Sequence, residues 1–322
     1  MEPSFHHALV ALRKATSVVV CAHVRPDGDA VGSALGMTLA LRENGIPAVP
    51  TLANVEPPPT TYSFLPGFGL YVPAEQLEAP EVFVSLDSPN PDRLGIAKPL
   101  EEAAGTVVVF DHHPDATEFG AVNVLDATAT ATGELVWRFA KALDTPPSAE
   151  VALCCYVGLI TDSGRFSYDN TTARALRDAA EMIDAGVDPS ETARLVYQNR
   201  SKAALDIEAR AMSRLTVVNG GRVGYAWVTD EDFDELGVLP EEAEPLPDAV
   251  RVLGGIDVAV LLRQHGDEVR ANLRAKTGFD VGAVARHFGG GGHHAASGFT
   301  FQGTIDELLP VLLPLLPGGD VA

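Results

Sequence analysis

Chemistry is concentrated where apolar runs stop. Val18-Val19-Val20-Cys21-Ala22 breaks at His23, and Asp27 and Asp29 follow four and six residues later. Three further runs end in the same way: Glu81 to Leu86 at Asp87, Thr106 to Phe110 at Asp111-His112-His113, and Val157 to Ile160 at Thr161-Asp162. Carboxylates that share a pocket repel by roughly 4 kcal/mol per pair at ~4 Å and an effective dielectric of ~20. Such a cluster stays charged only when cations join it. Taken alone, Asp27 or Asp29 reads equally well as the cap of a following helix. Four matching endings in one chain favour a shared ion site.

The elements that must position these groups follow from the pattern around them. Val18 to Cys21 is short and β-branched, the mark of a strand buried on both faces, and Pro26 with Gly28 forces a turn. Helical spacing resumes at Ala30, so Asp27 and Asp29 lie between a strand end and a helix start, where open α/β sheets place their ligands. Adjacent residues of an extended chain face opposite ways. Only one of His112 and His113 can therefore point straight at a shared ion, which leaves the other to face substrate, with Asp111 suited to accept a ring N–H. Helices are expected over Phe5 to Ala15, Thr130 to Ala142 and Ser148 to Ile160, the last nearly all apolar. Ser88 to Gly95 is rich in turn residues and is expected over the site; Arg93 within it could reach a phosphate, although a surface ion pair is the simpler expectation.

Alternating strands and helices over the first 185 or so residues predict a parallel sheet with helices on both faces. The expected domains are 1–188, a helical linker over 189–213, and a smaller α/β domain over 214–322. In the latter, Gly220-Gly221 marks a hairpin, Asp257 to Arg263 and Glu268 to Leu273 read as paired strands, and Asp280 to His287 as a short helix. Asp230 to Asp248 holds nine acidic residues and no basic one, and is read as a solvated loop. Gly289-Gly290-Gly291-Gly292 followed by His293-His294 costs backbone entropy and offers amides that can cradle an oxyanion.

The totals exclude several classes. A formal charge of −21 over 322 residues argues against long duplex nucleic acid, whose binding needs many phosphates neutralised. Arg251 to Gly298 alone nets +2, a balance suited to a small anion. The longest apolar run, Val151 to Ile160, is ten residues, too short to span a membrane. Met1-Glu2-Pro3-Ser4 lacks the features of a secretory signal, and Cys21, Cys154 and Cys155 are an odd number set in apolar runs, so reduced thiols and a cytoplasmic location are expected.

Together, His23-x-x-x-Asp27-x-Asp29, Asp87, Asp111-His112-His113 and Asp162 resemble the phosphoesterase superfamily named for its Asp-His-His (DHH) motif. The Gly289 to Gly298 stretch is similar to the signature of its associated second domain, DHHA1. The resemblance runs through nearly the whole chain. It implies a DHH domain and a DHHA1 domain across a cleft, as in the stand-alone enzymes that degrade very short oligoribonucleotides and dephosphorylate 3′-phosphoadenosine 5′-phosphate. It implies that His23 and Asp27 hold a first divalent ion and Asp29, His112 and Asp162 a second, with Asp87 bridging and His113 facing the phosphate. Arg274, Gly291, Gly292, His293 and Ser297 would hold the far end of the substrate. Relatives often carry Asn where this chain has Arg25 and Ser where it has Ala275; Arg25 would add a phosphate contact. Oxygen and imidazole donors without thiolate suit Mn²⁺, with Mg²⁺ as the alternative, and two such ions activate a hydroxide for attack on phosphorus. Short single-stranded RNA and the bisphosphate are the expected partners, with a homodimer left open. The competing readings are a linear or cyclic di-adenylate phosphodiesterase, a manganese pyrophosphatase or exopolyphosphatase, and a non-catalytic nucleotide sensor.

Overall fold

The computed structural model describes residues 3–292 and 294–319. Its described residues fall into two compact units, one up to Asn199 and one from Arg200 onward. The first unit runs α1 (Pro3–Leu12), β1 (Val18–Cys21), α2 (Gly28–Glu43), β2 (Ala48–Thr51), β3 (Val82–Leu86), α3 (Lys98–Ala103), β4 (Thr106–Asp111), β5 (Val122–Leu125), α4 (Thr132–Ala140), α5 (Ala149–Asp162), α6 (Ala173–Asp184) and α7 (Pro189–Tyr197). Five parallel strands lie in the order β2-β1-β3-β4-β5. Every residue of β1 and β3 is buried, as expected for a parallel sheet covered on both faces.

That strand order makes a topological switch point. From β1 the chain steps to β2 on one side, then returns past β1 to place β3 on the other. The crevice beyond the carboxyl ends of β1 and β3 is where such sheets bind ligands. His23 follows β1 and Asp87 follows β3, so the sheet order alone brings these two together.

Helices α2 and α5 pack closely along a glycine face of α2. Gly28, Gly32 and Gly36 recur every four residues and so share one face of α2. A Cβ on Gly32 would lie 2.4 Å from the Cys154 carbonyl oxygen, and one on Gly28 would lie 2.5 Å from Thr161 Cγ2. This close contact sets the C-terminal end of α5, with Asp162, beside the N-terminal end of α2, with Asp29.

The second unit contains α8 (Lys202–Ser213), β6 (Thr216–Val218), β7 (Val223–Thr229), α9 (Asp230–Leu236), α10 (Leu246–Arg251), β8 (Val258–His265), β9 (Glu268–Ala275), α11 (Val281–His287), β10 (Gly291–Gly292), β11 (Ala296–Gln302) and α12 (Ile305–Leu312). Its six strands lie in the order β10-β11-β9-β8-β7-β6, antiparallel except for β7 with β8. The expected β6–β7 hairpin and β8–β9 pair are both present. The linker expected over 189–213 is two helices, and the chain divides between them. Among the described residues no helix is long and apolar enough to cross a membrane.

One expectation is overturned. Asp230 to Asp248 is not a solvated loop but carries α9, a short 3-10 turn and α10. Its acidic residues are spaced so that Phe233, Leu236, Val238, Leu246 and Val250 still reach one apolar cluster. Asp232 makes the start of α9: it accepts the Thr229 amide at 2.9 Å and pairs with Arg210 at 2.7 Å and with Arg214. Burial would raise this carboxyl, but the two guanidiniums and the amide hold it down at about 2. A folded-state value below the unfolded one adds stability above the unfolded value, and that stability is lost as pH falls through the folded one. We expect Asp232→Asn to cost about 2 kcal/mol near neutral pH, with the difference shrinking as pH falls from about 4 towards about 2. Urea unfolding of both proteins across that range checks the sign.

Candidate metal centre

The four apolar endings converge at the carboxyl edge of the parallel sheet. Three overlapping groups form: His23, Asp27 and Asp87; Asp87, His112 and His113; and Asp29, His112 and Asp162, each offering ligand atoms within 4.8 Å of one another. Asp87 belongs to two of them. It stands just past β3 with φ 54, a left-handed conformation that Asp tolerates better than most residues, and its amide donates to the Phe110 carbonyl at 3.0 Å.

The imidazoles are oriented from behind. His23 Nδ1 lies 2.9 Å from the Val24 carbonyl oxygen and His112 Nδ1 lies 3.3 Å from that of Ala129. A carbonyl only accepts, so each Nδ1 carries the proton and each Nε2 is turned into the cluster. There His23 Nε2 is 3.4 Å from Asp87 Oδ2, and His112 Nε2 is 3.2 Å from Asp162 Oδ2 and 3.5 Å from Asp87 Oδ1. In neutral rings these are lone pairs facing lone pairs, an arrangement that requires either a second proton or a cation. With oxygen and imidazole donors and no sulfur, the group fits divalent ions.

The carboxylates show the same demand. Burial pushes the Asp29 carboxyl well above the usual range, with the charges of Asp87 and Asp162 adding to it, and burial likewise raises Asp162. Burial opposes charge on Asp87 too, but hydrogen bonds from His112 and His23 outweigh it and hold Asp87 well below the usual range. Burial would lower both histidines, yet Asp162 and Asp87 raise His112, and Asp87 and Asp27 raise His23. Asp162 closes α5, the end of a helix dipole where an acidic group is least welcome. Local preference yields here to the site.

Asp27 does cap α2, its Oδ1 accepting the Asp29 and Ala30 amides at 3.1 and 3.0 Å, and the same carboxylate lies 3.9 Å from His23 Nε2. The two readings of Asp27 coexist. Asp29 is fully buried and accepts the Thr132 and Gly133 amides at 2.6 and 2.8 Å, the first two residues of α4. Asp111 does bind a ring N–H: its Oδ1 accepts the His113 amide at 2.6 Å and His113 Nδ1 at 2.9 Å. It therefore orients His113, not His112.

Some contributors carry no sequence signal. Gly133 and Gly158 make room for Asp29: a Cβ on them would lie 3.1 and 2.4 Å from its Oδ1. Thr132 is fully buried and donates its hydroxyl to Asp87 Oδ1 at 3.0 Å, so one residue braces two acidic groups of the cluster. We expect Thr132→Val to weaken Mn²⁺ binding by about tenfold or more, in line with other outer contacts of metal sites, and Thr132→Ser to restore it; calorimetric titration of both variants tests this. The close face of α2, by contrast, has a signal, because Gly28-x-x-x-Gly32-x-x-x-Gly36 is visible in the sequence.

In the second unit the expected substrate group is only partly assembled. Arg274 pairs with Asp248 at 3.4 Å. The Gly289 and Gly290 amides close the end of α11 on the Arg286 and Ala285 carbonyls, so they do not serve a cradle. Gly291 and Gly292 form the exposed edge strand β10. Ser297 pairs with Leu273, not Arg274, in the β11–β9 register, which turns it to the opposite face. Its buried hydroxyl donates to the Val281 carbonyl at 2.7 Å. His293 lies outside the described residues.

Arg93 corrects a second expectation. It is half-buried, and among the described residues its guanidinium has no ion pair.

Comparison with known proteins agrees with this layout. The DHH family N-terminal domain model matches residues 17–159 and the DHHA1 domain model residues 220–314. The bifunctional oligoribonuclease and PAP phosphatase NrnA of Thermus thermophilus is 33% identical over 288 residues, which cover 89% of this chain and 84% of that protein. Its namesake in Bacillus subtilis is 27% identical over 285 residues, 88% of either chain. The crystal structure of an exopolyphosphatase-related protein from Bacteroides fragilis superposes with a TM-score of 0.89 at 24% identity, over 96% of this chain and 94% of that one, which shows the fold. By its two domains, its sheet order and the convergence of its acidic and imidazole groups, the chain belongs to the DHH/DHHA1 family of phosphoesterases.

Proposed function

We propose that this chain hydrolyses short oligoribonucleotides to mononucleotides and removes the 3′-phosphate of 3′-phosphoadenosine 5′-phosphate, as an oligoribonuclease and bisphosphate nucleotidase. The observation that supports it most is the shared position of Asp87 between two ligand groups, together with relatives that bear both activities in their names. His23, Asp27 and Asp87 would hold one divalent ion and Asp29, Asp87, His112 and Asp162 a second, with Mn²⁺ preferred over Mg²⁺ because of the imidazoles. When bound, the ions supply Lewis acidity towards phosphoryl oxygen and acidify water.

The remaining work falls to side chains. Asp111 holds His113 by Nδ1, so proton transfer is assigned to Nε2. Burial lowers the imidazole, but the Asp111 hydrogen bond and the charge of Asp87 overcome this and raise it, which favours the protonated ring that a donor to the leaving oxygen needs. Arg274 and the exposed Gly291–Gly292 edge are assigned to substrate phosphate or backbone.

The test is one panel: manganese-loaded protein with a 5′-labelled RNA ladder, the bisphosphate, linear and cyclic di-adenylates, and pyrophosphate. AMP from the bisphosphate and from oligonucleotides of a few residues supports the proposal. Phosphate from pyrophosphate alone would replace it with a pyrophosphatase.

A further inference from the structure

Two arginines, exposed Arg25 and half-buried Arg93, lie in the loops that follow β1 and β3. Their loops are tied together: the Val24 amide donates to the Arg93 carbonyl at 2.9 Å, and the Ile96 amide to that of Ala53 at 2.9 Å. Gly95 (φ 45) permits this approach, since a Cβ there would lie 2.2 Å from the Ala53 carbonyl oxygen and 2.6 Å from Val24 Cγ1. Arg25 and Arg93 therefore flank a single backbone bond. The Arg25 amide is fixed on Asn54 Oδ1 at 3.2 Å, with its backbone in the left-handed region at φ 55. A non-glycine residue keeps that conformation only where its surroundings impose it.

Neither guanidinium has a hydrogen bond or ion pair among the described residues, although the chain carries 44 acidic groups. Arg93 is half-buried. Burial lowers its affinity for the proton, and the charge of Arg25 lowers it further, against the pull of Asp87, Asp27 and Asp111. These carboxylates are near enough to be felt but do not touch it. A half-buried cation beside a like charge, within the field of the acidic cluster but paired with none of its carboxylates, is free to meet an anion bound at the metal centre.

We propose that Arg25 and Arg93 together receive the terminal oxygens of a phosphomonoester at the metal centre and so set this chain's preference for terminal phosphates over internal diesters. The inference rests on the phosphoesterase reading above and deepens it. A monoester carries about −1.5 to −2 charges near pH 7 and three terminal oxygens; a diester carries a single charge and two free oxygens. Two planar forks outside the ligand set meet the additional oxygen and charge.

The experiment compares kcat/KM of the manganese-loaded chain on 3′-phosphoadenosine 5′-phosphate and on the dinucleotide pApA, for wild type, Arg25→Asn, Arg93→Gln and Arg93→Lys. The monoester-to-diester ratio should fall about tenfold or more in Arg25→Asn and Arg93→Gln, the loss of a charge-assisted hydrogen bond. Arg93→Lys should lie between, keeping charge without the fork. Calorimetric titration of orthophosphate into the same proteins should weaken in the same order. Equal losses on the two substrates, an unchanged ratio or unchanged orthophosphate affinity would overturn the proposal. Wild type inert on both substrates would sink the phosphoesterase reading itself, and the orthophosphate titration then decides the arginine pair alone.

Discussion

Replacing Asp87 by Asn is expected to lower phosphoester turnover by about 10³-fold or more while the fold persists. Asp87 is common to the His23–Asp27 group and the His112–His113 group and is assigned to both proposed ions, so a neutral amide weakens both at once. It also leaves His23 and His112 facing an uncharged neighbour in a buried site. Breaking a buried ionic contact from one side costs about 3–5 kcal/mol, and each ~1.4 kcal/mol is a factor of ten. Circular dichroism with calorimetric Mn²⁺ titration separates a lost site from a lost fold. Near-normal turnover in a correctly folded Asp87→Asn protein would remove the basis of the two-ion assignment.

The same cluster predicts how metal affinity moves with pH. Without ions, burial favours the protonated carboxyls of Asp29 and Asp162, and the carboxylates around His23 and His112 favour their protonated rings. A raised histidine contributes stability that is complete below its unfolded value near 6.5 and is lost as pH climbs through the folded one. Binding must displace those protons, so Mn²⁺ affinity should rise with pH and each binding event should release protons. Titration in buffers of different ionisation enthalpy measures that release. Affinity independent of pH from about 6 to about 8.5 would contradict the donor set described above.

The second large effect is expected at Gly158→Ala, a change that ordinarily strengthens a helix by about 1 kcal/mol. Here the sign should invert. The added methyl would sit 2.4 Å from Asp29 Oδ1 and 3.3 Å from Asp29 Cα, and Asp29 cannot yield because the Thr132 and Gly133 amides hold both its oxygens. Overpacking of this kind costs about 1–3 kcal/mol. A carboxylate displaced by the order of 1 Å can cost about 10²-fold in rate. Thermal unfolding and turnover should therefore both fall, and a stabilised, active Gly158→Ala protein would show that α2 and α5 do not pack as described.

Much of the sheet is legible in the chain itself. The β-branched runs are buried strands because a parallel sheet covered on both faces can use no polar residue within them, and the polar groups that end these runs therefore collect at one edge. Asp111 is readable as a brace because it directly precedes two histidines, but the expectation that only one of them faces the cluster fails, since both rings lie beside Asp87 Oδ1. Asp230 to Asp248 reads as a loop because charge density overwhelms a sparse apolar period: Phe233, Leu236 and Val238 reach the core, and Asp232 is buried with them against Arg210 and Arg214 while the other acidic neighbours stay outside. Arg93 reads as an ion-paired surface residue because a lone arginine in a turn-rich loop looks the same in sequence whether or not it has a partner.

Sequence by itself determined which groups this chain could use: the identity and order of the acidic and imidazole residues, the strands that end in them and the two-domain division, since each depends on local chemistry and spacing. Tertiary structure alone decided how those groups are shared and braced. That Asp87 joins two groups, that Thr132 and two glycines of α4 and α5 shape the seat of Asp29, that Ser297 turns away from Arg274 and that the loops of Arg25 and Arg93 are tied together all depend on contacts between residues far apart in the chain. Such contacts are set by strand order, helix approach and register, which no local pattern encodes.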